Sequence, residues 1–318
     1  MDTLKFINAI RGPVICTAEL HRQLALFETV VGMRRLADEH LDQAATEQWF
    51  GVSGLEARAI LLETPGTQIG VWLVEFTPPS DVVIRVGGVG VATDALKMID
   101  VFTADRLEAI ARLKAHGFEF VSEGASVDLP DGSRFLEAHV RAPDGVMFAV
   151  IEPLNLPASR FVTCHDQVFS EVQSSSGPVS DFAPVRRFYE EVLGIPMGLR
   201  YEFESESFSR MVGTPHVIHI QANNYGRVVE DVMLGIIHYG LPKGTYESLR
   251  ERARPPHRGL VGVRLDVTGL GALVERCRAA DVEIVRPLQN VRSAASGVAN
   301  VAAVRAPHGV WHWLIERG

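Results

Sequence analysis

The sequence predicts an α+β protein built from four βαβββ units in two similar halves. Two observations carry this. Segments a fixed distance apart repeat each other, and each helix-period segment is followed by several short runs with strand periodicity. A doubly wound parallel sheet would need a helix after nearly every strand, so it is disfavoured.

The repeat is explicit. Arg112-Leu113-Lys114-Ala115-His116-Gly117-Phe118-Glu119-Phe120-Val121 matches Arg276-Cys277-Arg278-Ala279-Ala280-Asp281-Val282-Glu283-Ile284-Val285, and Ala142-Pro143-Asp144-Gly145-Val146 matches Ala306-Pro307-His308-Gly309-Val310. Both matches lie at an offset of 164 (276 − 112 and 306 − 142). One offset across two separated blocks argues for duplication. A looser match joins Leu26–Met33 to Phe188–Ile195, each an amphipathic helix closed by a glycine suited to the left-handed cap. In the first half, strands are expected at 14–17, 57–62 and 70–76 with a helix at 21–31. A second unit follows, with a strand at 98–103, a helix at 105–116, and strands at 118–121, 135–141 and 146–151. The stretch 153–166 has the composition of a linker, giving expected domains 1–155 and 166–318. Residues 240–259, with Pro242, Pro255 and Pro256, separate the last two units.

With 318 residues, 47% of them hydrophobic, each half is long enough for a core of its own. A net charge of -8 with scattered Lys and Arg excludes a nucleic-acid binder, and no stretch reaches membrane-spanning length. The first residues lack a basic segment followed by an apolar run, as a leader would have. Cys16, Cys164 and Cys277 lie far apart without a C-x-x-C pair, as in a reduced intracellular protein. A cytoplasmic location is expected.

Val179-Ser180-Asp181-Phe182 leading to Arg187-Phe188-Tyr189-Glu190-Glu191-Val192-Leu193-Gly194, and Pro143-Asp144-Gly145 leading to Ile151-Glu152-Pro153, resemble the vicinal oxygen chelate superfamily over nearly the whole chain. That superfamily holds the glyoxalases, bleomycin-resistance proteins and extradiol dioxygenases, and the four-unit layout resembles the dioxygenases. The resemblance implies paired units curled into cups, here two tandem cup-shaped domains. It also implies a metal held by histidines on first strands and a glutamate on a last strand. Those positions fall near Gly12, at Met98 and Ala149 in the first half, and near Ser174, at Gly262 and Trp313 in the second, with Trp72 and Gly235 at the matching last strands. None is an imidazole, carboxylate or thiolate donor. Glu152 and Glu316 lie three residues beyond the expected glutamate, an odd step that turns them to the other face. No metal and no cofactor is therefore expected. His219 and His238, were they the inward pair, would leave an atypical metal site open. His216 resembles the histidine that extradiol dioxygenases keep beside their metal for acid-base work.

Strand alternation places Met98, Asp100 and Phe102 toward one cup and Gly262, Arg264 and Asp266 toward the other. Charges turned into a cup must be paired, wetted or ligand-binding. A structural Arg264–Asp266 salt bridge and a ligand site are both open readings, and Asp100 with His139 would make a general base and its orienter. Trp72, Trp311 and Trp313, with Tyr239, would give the cups an aromatic lining for an apolar or aromatic ligand. The reading favoured is a metal-independent lyase or isomerase acting by proton transfer on a small, mostly apolar or aromatic metabolite. Its candidate catalytic residues are His216, Arg264, Asp266, Asp100 and His139, with the C-terminal cup preferred. Two rivals stand beside it: a non-catalytic, bleomycin-resistance-like binding protein, and a dioxygenase-like enzyme with relocated metal ligands. The expected partner is a small-molecule ligand, a homodimer being left open.

Overall fold

The computed structural model describes residues 6–87, 90–121, 124–155, 167–242, 244–294 and 297–318. The chain forms four modules. The first is β1 (Ile7–Thr17), α1 (Leu20–Leu24, running on through a wider turn, Ala25–Val30), β2 (Arg34–Leu41), α2 (Gln43–Phe50), β3 (Glu56–Glu63) and β4 (Gly70–Thr77). The second is β5 (Met98–Thr103), α3 (Arg106–Ala115), β6 (Glu119–Phe120), β7 (Ala125–Asp128), β8 (Arg134–Arg141) and β9 (Met147–Pro153). The third is β10 (Phe169–Pro178), α4 (Phe182–Arg186, running on through Arg187–Leu193), β11 (Met197–Glu204), α5 (Glu206–Met211), β12 (His219–Tyr225) and β13 (Met233–His238). The fourth is β14 (Gly259–Val267), α6 (Leu270–Ala279), β15 (Glu283–Ser293), β16 (Gly297–Arg305) and β17 (Trp311–Arg317).

Local chemistry sets the helix ends. Asp42, Asp105 and Asp181 cap α2, α3 and α4 by accepting from backbone amides in the first turn. Gly269, ahead of α6, has no side chain to cap with. Glu316 on β17 supplies the acceptor instead, at 2.6 Å from the Gly269 amide and 3.2 Å from that of Leu270.

The modules build two curled sheets. One has eight strands in the order β15-β16-β17-β14-β1-β4-β3-β2, and the other has nine, β11-β12-β13-β10-β5-β9-β8-β6 with β7 also on β8. Their seams are antiparallel pairs of first strands, β1 with β14 (Val14 opposite Gly262) and β5 with β10 (Asp100 opposite Ser174). The α+β class, the four modules and the two cups are as the sequence predicts. The pairing corrects it. Module 1 joins module 4 and module 2 joins module 3, so the halves 1–155 and 166–318 each give one module to each sheet and are not separate one-cup domains. The long connections 78–97 and 239–258 carry the chain from one sheet to the other and bridge each other, the Ile84 amide donating to the Arg258 carbonyl and the Arg258 amide to the Val82 carbonyl, both at 2.8 Å. Most of the expected linker lies outside the described residues.

Helices α1, α3, α4 and α6 lie between the sheets, and both helix-facing surfaces share one core that includes Phe27, Phe148, Phe169, Phe188, Leu265 and Leu273. Phe27 of module 1 meets Phe148 of module 2 edge-on at 6.0 Å. No helix among the described residues is long and apolar enough to cross a membrane.

Because each sheet needs strands from both halves, pieces 1–155 and 166–318 produced together should copurify as one particle on size-exclusion chromatography, and either alone should aggregate. A half that folds alone as a monomer would contradict the observed pairing.

Candidate active site

The two concave faces have diverged. In the eight-stranded sheet α2 folds over the opening and brings Trp49 and Phe50 onto Trp72, at 5.1 and 5.2 Å between ring centroids. Trp313 lies 6.2 Å from Trp72 and 5.4 Å from Trp311, and its indole N–H donates to the Trp49 carbonyl at 3.0 Å. Trp72, Trp311 and Trp313 are all buried. They fill this cup as core and do not line a ligand space, which corrects their expected role.

Arg264 and Asp266 face the same side of that sheet, as the alternation predicts, on its seam strand β14, where Arg264 lies between Gly12 and Trp313. Asp266 pairs with Arg11, at 2.7 Å, and not with Arg264. Burial pulls the Arg264 guanidinium down to about 10 against the raising influence of Glu63 and Asp266. His216 stands in an exposed turn ahead of β12, where its carbonyl accepts from the Thr214 hydroxyl at 3.1 Å. These three residues therefore do not form a site together, and the C-terminal half has no cup of its own.

The nine-stranded cup is open. It encloses a cavity of about 300 Å³ with a largely apolar wall that includes Met98, Phe102, Phe135, Phe203, Phe208 and Tyr239. Met98, Asp100 and Phe102 point into it, while Ile99 and Val101 join the helix-side core. Opposite Asp100, Ser174 donates its hydroxyl to the carboxylate. On β8, Glu137 and His139 turn the same way, with Glu137 Oε1 2.6 Å from His139 Nε2. Asp100 and His139 each lie opposite Ala149, one on either side of β9. Their backbones are therefore two strand spacings apart, about 10 Å. His139 is oriented by Glu137 and not by Asp100, and the small Ala149 leaves room between the two acid-base groups.

Burial governs the electrostatics. Asp100 is pushed up to about 7 by desolvation and then by the Glu137 charge, against the lowering hydrogen bonds of Ser174 and Ser176 and the charge of Lys97. Lys97, which sequence reasoning passed over, also lines the cavity and is pulled down to about 7, again chiefly by burial. Glu137 was missed as well. Its signal was the i, i+2 spacing to His139, which puts both on one face of a strand; that of Lys97 was a charge between the buried Leu96 and Met98.

No protein-family profile and no curated protein matches the sequence. Solved structures do match. Glyoxalase I from Zea mays superposes with a TM-score of 0.62 at 16% identity, covering 97% of this chain and 92% of that one. A candidate dioxygenase from Bacillus subtilis subsp. subtilis str. 168 gives 0.60 at 10% identity, covering 98% and 86%. The chain has the fold of these proteins.

In this fold the positions that the resemblance gave as metal ligands regroup by sheet. The open cup has Met98, Ala149, Ser174 and Gly235, and the filled one Gly12, Trp72, Gly262 and Trp313. Backbone packing forbids a donor at two of them. A Cβ on Gly12 would lie 1.9 Å from the Gly70 carbonyl oxygen, and one on Gly262 2.1 Å from that of Trp311. Glu316 is committed to α6, and Glu152 faces Arg106 at 3.8 Å, both on the helix side as their odd spacing predicts. His219 and His238 alternate with the cavity-lining Ile220 and Ile237, so they face away from the cup, His219 toward Glu202 and Glu204. Among the described residues no group of three or more His, Cys, Asp or Glu is disposed to hold a metal. The residues present do not fit the metal that the resemblance implies.

Two outcomes are expected. Trp313→Ala should cost about 3 to 5 kcal/mol of unfolding free energy by leaving a cavity in the filled cup, with ligand binding in the open cup unchanged by calorimetry. Asp100 holds its proton to about 7 when folded, while an unfolded aspartate releases it near about 4. The folded state thus binds the extra proton between these values, and stability falls as pH rises through that window. The melting-temperature gain of Asp100→Asn over wild type should grow from pH 4 to 7 and then level off; a gain that shrinks with pH would contradict the buried carboxyl.

Proposed function

We propose that this chain is a cytoplasmic enzyme that moves a proton within a small, largely apolar metabolite, as a lyase or isomerase does, using the nine-stranded cup without a metal. The observation that supports this best is the placement of two buried acid-base systems, Asp100 with Ser174 and His139 with Glu137, on either side of an apolar cavity. A carboxyl titrating near 7 is suited to take a proton and return it at neutral pH. Across the cavity, Glu137 fixes the imidazole through Nε2 and leaves Nδ1 as the nitrogen not committed to that contact. A substrate over Ala149 would have a base on one side and an acid on the other, in a space from which most water is excluded. Buried free thiols at Cys16 and Cys277 are in keeping with a reducing compartment. The scaffold shared with glyoxalase I of Zea mays supports an enzymatic use of the cup; the residues themselves carry the proposal.

The test begins with native mass spectrometry for a co-purified small molecule, followed by NMR of that molecule with catalytic protein in D2O. Deuterium should enter at one carbon, at a rate rising with pH through about 7 as Asp100 loses its proton. Asp100→Asn and His139→Gln should each lower the rate by about 100-fold or more while binding persists. A ligand bound in the cup without exchange at any pH would make the protein a sequestering one, and exchange that needs stoichiometric iron, zinc or manganese would overturn the metal-free reading.

A further inference from the structure

Lys97 takes no part in the proton transfer proposed above, yet it is built into the same cavity. Its amide donates to the Ser176 carbonyl at 2.8 Å and its carbonyl accepts from the Met147 amide at 3.0 Å, so the backbone is fixed at the end of β5 between both neighbouring strands. The side chain is 2% exposed, and Nζ has no hydrogen-bond partner, lying 5.9 Å from the centroid of the Tyr239 ring. The charged groups acting on it are Asp100 and Glu137, which favour the ammonium, and Arg85, which opposes it. Arg85 is itself occupied by the Gly90, Asp94 and Ala95 carbonyls and the Thr93 hydroxyl. A lysine kept only as counter-ion to the two carboxylates would donate to one of them, since an ammonium has three donors to satisfy. This one donates to neither. An unpartnered amine at the wall of an apolar cavity, beside an acid and a base, is the setting of a nucleophile.

We propose that Lys97 Nζ adds to the carbonyl carbon of a small apolar aldehyde or ketone held in the nine-stranded cup and forms an imine with it. This rests on the cup being an enzyme site and names its substrate class. The nitrogen lone pair forms the C–N bond as the carbonyl π pair moves to oxygen, and the first of the two amine protons passes to that oxygen. The Glu137–His139 pair then protonates that oxygen, which leaves as water, while the proton lost from nitrogen passes to Asp100. The net change is amine plus carbonyl giving imine plus water, with no oxidant or reductant. Once protonated, the imine withdraws electrons from the adjacent C–H bond. Asp100, again unprotonated, can then accept that proton for return to another carbon, and hydrolysis releases the product and regenerates the amine. A neutral amine is required for the first step, and the pKa of about 7 supplies it at physiological pH.

The chain has four lysines, Lys5, Lys97, Lys114 and Lys243, so the site of reaction can be read directly. The folded wild-type protein is treated at pH 7 with ¹³C-formaldehyde and cyanoborohydride, and the methylated peptides are followed by mass spectrometry. An ordinary lysine is neutral to only about one part in two thousand at this pH. Methylation of Lys97 should therefore outpace that of the exposed Lys114 by about ten-fold or more, even with the lower nucleophilicity of a weaker base. Benzaldehyde followed by borohydride should leave one benzyl group on Lys97 and none on a Lys97→Met variant of unchanged melting temperature. Methylation of Lys97 no faster than of Lys114 would overturn the nucleophile. Rapid methylation with no benzyl adduct would overturn the apolar carbonyl class. Either result leaves the D2O exchange assay to decide the proton-transfer reading separately.

Discussion

The antiparallel seam between β5 and β10 determines what the open cup can do. It sets Asp100 directly opposite Ser174 and Met98 opposite Ser176, so a carboxylate from one half of the chain is held by hydroxyls from the other. The parallel pairing of β5 with β9 then aligns Asp100 with Ala149, and the antiparallel step to β8 aligns Ala149 with His139. A slip of one residue at this seam would turn Asp100 into the helix layer and Ile99 into the cavity. The layout of the cup thus follows from three strand registers that meet at Asp100 and Ala149.

The β5–β10 register in turn requires the crossed assembly of modules. Consecutive modules enter different sheets, and the connections 78–97 and 239–258 pass between them as partners of each other. Helices α1, α3, α4 and α6 between the sheets bury a common core, so neither cup is an independent unit. Loss of packing at Phe27 or Phe148 would be felt on both sides of the molecule.

The sequence was informative where period and face decide the outcome. Alternation turned Met98, Asp100 and Phe102 correctly into a cup, and the odd spacing of Glu152 and Glu316 put them correctly behind the sheets. Pairing was not legible, because an offset of 164 is equally compatible with modules joined within or across halves. Strand β2 was missed because Arg34–Leu41 is an edge strand with only Ala37 and Leu41 buried, which leaves no apolar alternation to detect. The tryptophans were given the wrong task for a related reason: nothing local to Trp72 or Trp313 reveals that α2 will close over them. Lys97 escaped notice because a single charge beside apolar residues reads as the end of a strand until burial is known.

The filled cup has a consequence for the open one. Indole and phenyl rings interlocked under α2 give the eight-stranded sheet a second packed layer, like a keel, in addition to the core it shares with the nine-stranded sheet. The open cup can then harbour an amine without a partner and carboxyls without full solvation, features that would weaken a molecule resting on that cup alone. Duplication followed by unequal filling separates ballast from reactivity, and substitutions that stay on the cavity wall can retune its chemistry without touching either the filled cup or the core the sheets share.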